Sequence, residues 1–126
     1  MKAKLPMSLP NLFLRLEGLV TFLSASFLYF HYWGDPVFFI IALILPDIGI
    51  AGFLGGSKTG SLIYNVTHTF AIPLMLAAWL LASGVPYSNT LLLFSLVWVA
   101  HIGMDRLFGF GLKYPTHFKD THMQHV

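Results

Sequence analysis

Four apolar runs, each close to the length that spans a bilayer, occupy almost all of this 126-residue chain. A helix needs about 20 residues to cross roughly 30 Å of hydrocarbon. The runs extend from about Leu12 to Phe30, Val37 to Leu54, Ser61 to Ala82 and Ser88 to Phe108. They are joined by Gly34-Asp35-Pro36, by Gly55-Gly56-Ser57-Lys58-Thr59-Gly60 and by Ser83-Gly84-Val85-Pro86, all turn-forming sequences. Connections this short make neighbouring helices antiparallel. The expected fold is all-α: an integral membrane bundle of four antiparallel transmembrane helices. It forms a single domain over residues 1–126, with a short tail over 109–126. Charged residues make up only 10% of the chain against 56% hydrophobic ones, where a soluble domain carries about 25% charge. No length remains for a separate soluble domain.

Basic residues orient such a bundle, because lysine and arginine concentrate on the cytoplasmic side. Lys2, Lys4 and Arg15 lie at the start of the first run, and Lys58 lies between the second and third. Arg106, Lys113 and Lys119 lie at or after the end of the fourth. All seven basic residues thus fall on one side of a four-span chain, which places both termini in the cytoplasm of a multi-pass protein of the inner membrane. Tyr29, Tyr32, Trp33 and Tyr87 suit an aromatic girdle at the opposite face. The pI near 9.1 follows from this asymmetry and does not argue for nucleic acid. The chain has no cysteine, which excludes disulfides and thiolate metal sites.

Five ionisable residues enter the apolar runs: Glu17, Asp47, His68, His101 and Asp105. Each costs about 2.5–3.5 kcal/mol on insertion scales, so each marks a candidate functional position. With the cytoplasmic orientation, all five fall within roughly 5–12 Å of the inner edge, at 1.5 Å per residue. His101 and Asp105 are four apart and share a helix face; Asn65 and His68 are three apart and share another. Pro46 removes a backbone donor, which makes Pro46-Asp47-Ile48-Gly49 a candidate kinked or unwound piece. Such backbone is tolerated at membrane depth where it is buried in protein or lines a wet cavity. Pro73 is placed to bend the third run just beyond His68. Two imidazoles and two carboxylates suit zinc, manganese or iron rather than a soft metal. The competing reading of His101 and Asp105 is a structural hydrogen-bonded pair, with Arg106 neutralising Asp105. Glu17 is either a fifth ligand or general base, or a rim residue paired with Arg15. In the tail, His117 and His122 are candidates to complete or gate the inner mouth.

The order Leu16-Glu17-Gly18, Pro46-Asp47, Tyr64-Asn65 with His68, His101-Ile102-Gly103-Met104-Asp105-Arg106 and Gly109-Phe110-Gly111-Leu112-Lys113-Tyr114-Pro115, ending in Thr121-His122, resembles the domain of unknown function 4260 family of small bacterial membrane proteins. That resemblance runs nearly the whole chain and implies no activity. A looser one, carried by Leu45-Pro46-Asp47, Thr67-His68-Thr69, His101 with Asp105, and Tyr114-Pro115, is to inner-membrane metal-dependent hydrolases. It implies that Asp47, His68, His101 and Asp105 are metal ligands. Where those hydrolases have further acids and a histidine-arginine pair, this chain has Ile48-Gly49 and Tyr64-Asn65, which implies one metal rather than several.

The functional expectation is a metal-dependent membrane hydrolase with a cytoplasm-facing site, acting on a lipid or lipid-linked phosphate. Asp47, His68, His101 and Asp105 hold a divalent metal. Glu17 or a tail histidine is the base, Arg106 holds an anionic group, and Asn65 is an additional site residue. The alternative is a non-enzymatic protein: a proton or ion transporter, or an assembly partner whose polar layer joins helices. Haem ligation by His68 and His101 is less natural beside two carboxylates. The expected partner is membrane lipid, and association of the chain with further copies of itself stays open.

Overall fold

A computed structural model describes residues 8–113 and 121–124. The helices are α1 (Leu9–His31), α2 (Pro36–Ile44), a long 3-10 helix (Leu45–Gly55), α3 (Ser57–His68), α4 (Ala71–Ala82), α5 (Thr90–Leu107) and a single 3-10 turn (His122–Gln124). Among the described residues there is no strand, and one antiparallel bridge joins Lys113 to Thr121. The helices make four elements long and apolar enough to cross a membrane: Leu9–His31, Pro36–Gly55, Ser57–Ala82 and Thr90–Leu107. Their bounds lie within four residues of those read from sequence. Local chemistry sets the starts. The side chains of Ser8, Asp35 and Asn89 accept the Asn11, Phe38 and Leu92 amides at 3.2, 2.8 and 3.1 Å, and Pro10 and Pro36 open the first turns of α1 and α2.

The α5 helix is the centre of the fold, with 56% of its span buried against 17% for each of the others. Lipid tails offer no hydrophobic drive between helices, so close backbone approach has to supply the attraction. Gly18 of α1 and Gly103 of α5 provide it. A Cβ on Gly18 would lie 2.5 Å from the Gly103 carbonyl oxygen, and one on Gly103 would lie 2.7 Å from that of Gly18. Each glycine's missing side chain is where the other's carbonyl sits. Further along the same face Ala25 packs with Val99 and Ala100, so Asn11, Gly18 and Ala25 recur every seven residues on the buried stripe of α1. Tyr29 continues that stripe. It is fully buried and its hydroxyl donates to the Asp35 carbonyl at 2.7 Å. This corrects the girdle expected from sequence: Tyr29 is a core residue, whereas Tyr32 and Tyr87 pair at 4.6 Å between ring centres and Trp33 is exposed.

Two of the four spans are not continuous α-helices. The second changes to a 3-10 helix at Leu45, one residue before Pro46. The third stops at His68, where Thr69 is extended (φ −94°, ψ 139°), and restarts at Ala71 with Pro73 in its first turn. Both interruptions coincide with prolines picked out from the sequence. The break in the third span frees carbonyls that hydrocarbon cannot satisfy. Two side chains of α5 take them up: Trp98 Nε1 donates to the Thr67 carbonyl at 2.6 Å, and Arg106 Nη2 to the His68 carbonyl at 3.3 Å.

The α1–α5 contact yields a prediction. Replacing Gly103 or Gly18 by leucine forces the two backbones apart and costs about 1–3 kcal/mol, the usual cost of overpacking. Thermal unfolding in mild detergent should show it. Gly55→Ala, whose new Cβ meets Thr59 at an ordinary 3.4 Å, should leave the melting temperature nearly unchanged.

Candidate metal centre

Asp47, His68, His101 and Asp105 come together in one place, with a donor atom from each lying within 4.8 Å of all the others. Asp47 comes from the first turn of the 3-10 helix, His68 from the last turn of α3, and His101 and Asp105 from successive turns of α5. His68 Nε2 lies 3.3 Å from Asp47 Oδ1, 3.5 Å from Asp105 Oδ2 and 3.2 Å from His101 Nε2. His101 Nε2 lies 3.2 Å from each of the two carboxylate oxygens. A tetrahedral ion with ligands at about 2.0–2.1 Å spaces its donor atoms about 3.3–3.4 Å apart. The two imidazoles are almost completely buried and Asp105 is 14% exposed, whereas 44% of the Asp47 side chain is accessible. The group therefore has one open side, and Asp47 stands on it.

The surroundings of His68 fix its tautomer. Its Nδ1 lies 3.0 Å from the Tyr64 carbonyl and 2.8 Å from Thr67 Oγ1, and Thr67 Oγ1 itself donates to the Tyr64 carbonyl at 2.9 Å. The ring proton thus belongs on Nδ1, and the Nε2 lone pair faces the group. Backbone or carboxylate acceptors hold metal-binding imidazoles in the same way. The Tyr64 ring lies flat on the His68 ring, 3.8 Å between centres and 6° between planes, and Lys113 Nζ sits 4.4 Å over the other face of Tyr64. Asp105 Oδ2 and His101 Nδ1 are buried without a hydrogen bond of good geometry, although the Leu43 backbone acts on the His101 ring. With both rings neutral, His68 Nε2, Asp47 Oδ1 and Asp105 Oδ2 are acceptors, and the His101 Nε2 proton is the one donor they can share. With the His101 proton on Nδ1 instead, toward the Leu43 backbone, all four atoms turn lone pairs inward, and a divalent cation at the centre answers them. Two carboxylates also cancel its charge, which suits a site inside apolar spans. The donor set fits a metal.

The other residues expected at the site stand elsewhere. Glu17 is exposed on α1 and its carboxylate is not part of the group. Arg15, its expected partner, instead donates to Asn11 Oδ1 at 2.8 Å and to the Leu107 carbonyl at 3.2 Å, capping the end of α5. Arg106 is buried beside the group with its guanidinium 5.7 Å from the centre of the Phe70 ring, and it donates to the His68 and Phe110 carbonyls at 3.3 and 3.4 Å. Those bonds make it a clamp on the interrupted third span. Asn65 faces the chain after α5: its Nδ2 donates to the Lys113 carbonyl at 2.9 Å and its Oδ1 accepts the Lys113 amide at 2.6 Å. His122 accepts the Leu112 amide on Nδ1 at 2.8 Å and returns its own amide to the Leu112 carbonyl at 2.8 Å. Asn11 Nδ2 holds the Met123 carbonyl at 2.7 Å. His122 and Met123 are therefore fastened across the end of the bundle. His117 lies outside the described residues.

Tyr64 and Thr67 shape the site, and sequence reasoning passed over both. The signal was the four-residue spacing of Tyr64 and His68, which aligns two side chains on a helix more closely than the three-residue spacing of Asn65 and His68.

The chain belongs to the family described as domain of unknown function (DUF4260), whose model matches residues 11–126. No curated protein and no solved structure matches it.

The fastening at His122 has a pH dependence. Burial, and then the nearby Arg106 cation, lower the affinity of His122 for a proton below its ordinary value of 6.5. A histidine whose folded value is lowered stabilises the fold above the unfolded value, and that contribution is lost as the pH falls below it. Protonation would also remove the acceptor that holds the Leu112 amide. Cleavage of the tail by added protease should therefore rise as the pH drops from 7.5 to about 5.5. His122→Gln, whose amide oxygen still accepts, should flatten that rise.

Proposed function

We propose that this protein is a metal-dependent membrane hydrolase of the inner membrane, both termini cytoplasmic, acting on a lipid or lipid-linked phosphate. The observation that carries the reading is the convergence of four candidate ligand atoms within 4.8 Å of one another, each imidazole nitrogen lying 3.2–3.5 Å from the other three atoms and both rings almost wholly buried. His68, His101 and Asp105 are the anchored ligands, and Asp47 is the fourth and the exposed one. Three firmly held ligands with a displaceable fourth position is the arrangement that catalytic sites keep, whereas structural sites are closed. A bound divalent ion supplies polarisation of an ester or phosphoryl oxygen and a lowered pKa for water. Asp47 faces the approach to the site and is the group placed to accept a proton there. Glu17 is not used. Thr67 and Tyr64 hold the His68 ring, and Arg106 holds the end of the helix that carries it. Zinc is the first ion to test, since imidazole and carboxylate sites bind it more tightly than manganese or iron.

The two interrupted spans favour a second reading. Transporters place ion sites at discontinuous helices, where unwound backbone lines the path, and both breaks here flank the four-residue group. In that case the metal is cargo.

Elemental analysis of protein purified in mild detergent should find about one divalent ion per chain. His68→Ala, His101→Ala and Asp105→Ala should each lose it with helical content intact, and full occupancy in all three would overturn the metal centre. Thr67→Val should weaken metal binding by about 10–100-fold, as loss of a ligand's supporting hydrogen bond does. Zinc-dependent turnover of lipid phosphoesters in mixed micelles, abolished by His101→Ala, is the outcome expected of a hydrolase. Zinc flux into sealed proteoliposomes without turnover is the outcome expected of a transporter.

A further inference from the structure

We propose that the site is entered sideways, from the hydrocarbon phase of the bilayer, so that its substrate is an amphiphile presented by the membrane rather than a solute arriving from water. This rests on reading the four-residue group as a metal centre. Two sets of observations point the same way.

The first concerns the route along the bundle axis, which the chain itself fills. Beyond His68 on one side lies Tyr64, flat against the ring, and beyond Tyr64 lies the Lys113 ammonium. Lys113 is 6% exposed, and Thr121 and Met123 next to it are 3% and 2% exposed. They are held there by Asn65, Asn11 and the paired Leu112 and His122 backbones. A water-borne molecule following this path meets the fastened residues Thr121 to Met123 and two stacked side chains, Lys113 and Tyr64, before it meets the histidines.

The second concerns the open side. Asp47 is the one member of the group with substantial exposure, and it sits in the most hydropathic of the four spans, eleven residues from Pro36 and eight from Gly55. Its exposed neighbours are aliphatic: Ile44, Ile48 and Ile50 are 63%, 67% and 38% exposed. In a 3-10 helix three residues complete a turn, so Asp47 and Ile50 lie on one face, one above the other. The carboxylate thus opens onto a surface made for acyl chains. Eight residues at about 2 Å each put Asp47 roughly 16 Å from the Gly55 end, deeper than the α-helical rise implied from sequence. A carboxylate facing hydrocarbon there is costly, and such groups in membrane proteins mark substrate or ion pathways. His101, nine-tenths buried and more, aims Nε2 at the same carboxylate from inside. A headgroup bond drawn in beside Asp47 would reach the metal position while its tail stayed in the bilayer.

Carbodiimides of opposite solubility test the route. The carboxylic acid protonates the reagent and its carboxylate adds to the central carbon; acyl migration to nitrogen then leaves one whole carbodiimide attached as an N-acylurea, with nothing released. The full chain, stripped of metal and reconstituted in sealed liposomes, is treated with dicyclohexylcarbodiimide or with a cationic water-soluble carbodiimide and mapped by peptide mass. The lipophilic reagent should add to Asp47, the cationic reagent should not, and Asp47→Asn should abolish the adduct. Glu17, exposed on another helix, serves as an internal reference carboxyl. Equal labelling by both reagents, labelling by the cationic one alone, or no labelling of Asp47 by either would overturn lateral entry. Zinc added beforehand should suppress the Asp47 adduct and spare the one on Glu17. Lateral labelling that zinc fails to suppress would leave the route standing and remove the metal reading.

Discussion

Hydrocarbon cannot hydrogen-bond a free carbonyl, and the rest of the structure depends on how this chain meets that demand. A continuous helix meets it internally. Here the third span gives up continuity at His68, and the Thr67 and His68 carbonyls go instead to Trp98 and Arg106 of α5. That exchange places α3 and α4 around α5. It also ties the end of the helix carrying His68 to the helix carrying His101 and Asp105. Arg106 is next to Asp105 in sequence, so one turn of α5 supplies both a member of the His/Asp group and the clamp on the backbone of another member, His68. The buried arginine is affordable because its partners are carbonyls that would otherwise be unsatisfied.

The α1–α5 contact plays a different part. Gly18 and Gly103 bring two helices to van der Waals distance along their backbones. Gly103 lies between His101 and Asp105 in sequence, on the opposite side of α5 from those two side chains. One short stretch of α5 thus reads as small on the face toward α1 and polar on the face toward α3. A helix with these two faces has to sit in the middle of the bundle.

Much of this was legible in the sequence. Span lengths and turn residues located the four elements, because hydrocarbon thickness leaves little latitude. Asp47, His68, His101 and Asp105 were legible because ionisable residues in apolar runs are costly, and the four-residue spacing of His101 and Asp105 already fixes a shared face. Depth alone misled for Glu17: residues at similar depth can point to opposite sides of a helix, and Glu17 precedes Gly18, whose direction is toward α5. Asn65 was assigned to the site because its three-residue spacing puts it on one helix face with His68, but a backbone segment almost fifty residues later, at Lys113, claimed it. That claim depends on the path of the tail, which local periodicity does not encode. The fate of Arg106 depended on a helix break whose location in sequence was marked only indirectly, by Pro73.

The 3-10 helix was the least expected element, since such helices seldom run beyond three or four residues and this one has eleven. Its persistence has a geometric cause in its neighbour. Three residues of a 3-10 helix rise about 6 Å, and four residues of an α-helix also rise about 6 Å. Gly49, Gly52 and Gly55 recur every third residue and meet Thr67, Ile63 and Thr59, which recur every fourth residue of α3 in the opposite order. The two helices stay in register over three contacts, two turns of each, only because their axial repeats match, and a continuous α-helix in place of the 3-10 segment would carry the glycines round to a different face. The adjacent row follows the same register. Phe53 lies against Gly60, and two 3-10 turns earlier Asp47 lies against His68, eight residues beyond Gly60. The glycine ladder therefore does more than permit close packing. It sets the pitch that delivers the Asp47 carboxylate to the imidazole, so the unusual helix and the geometry of the His/Asp group have one cause.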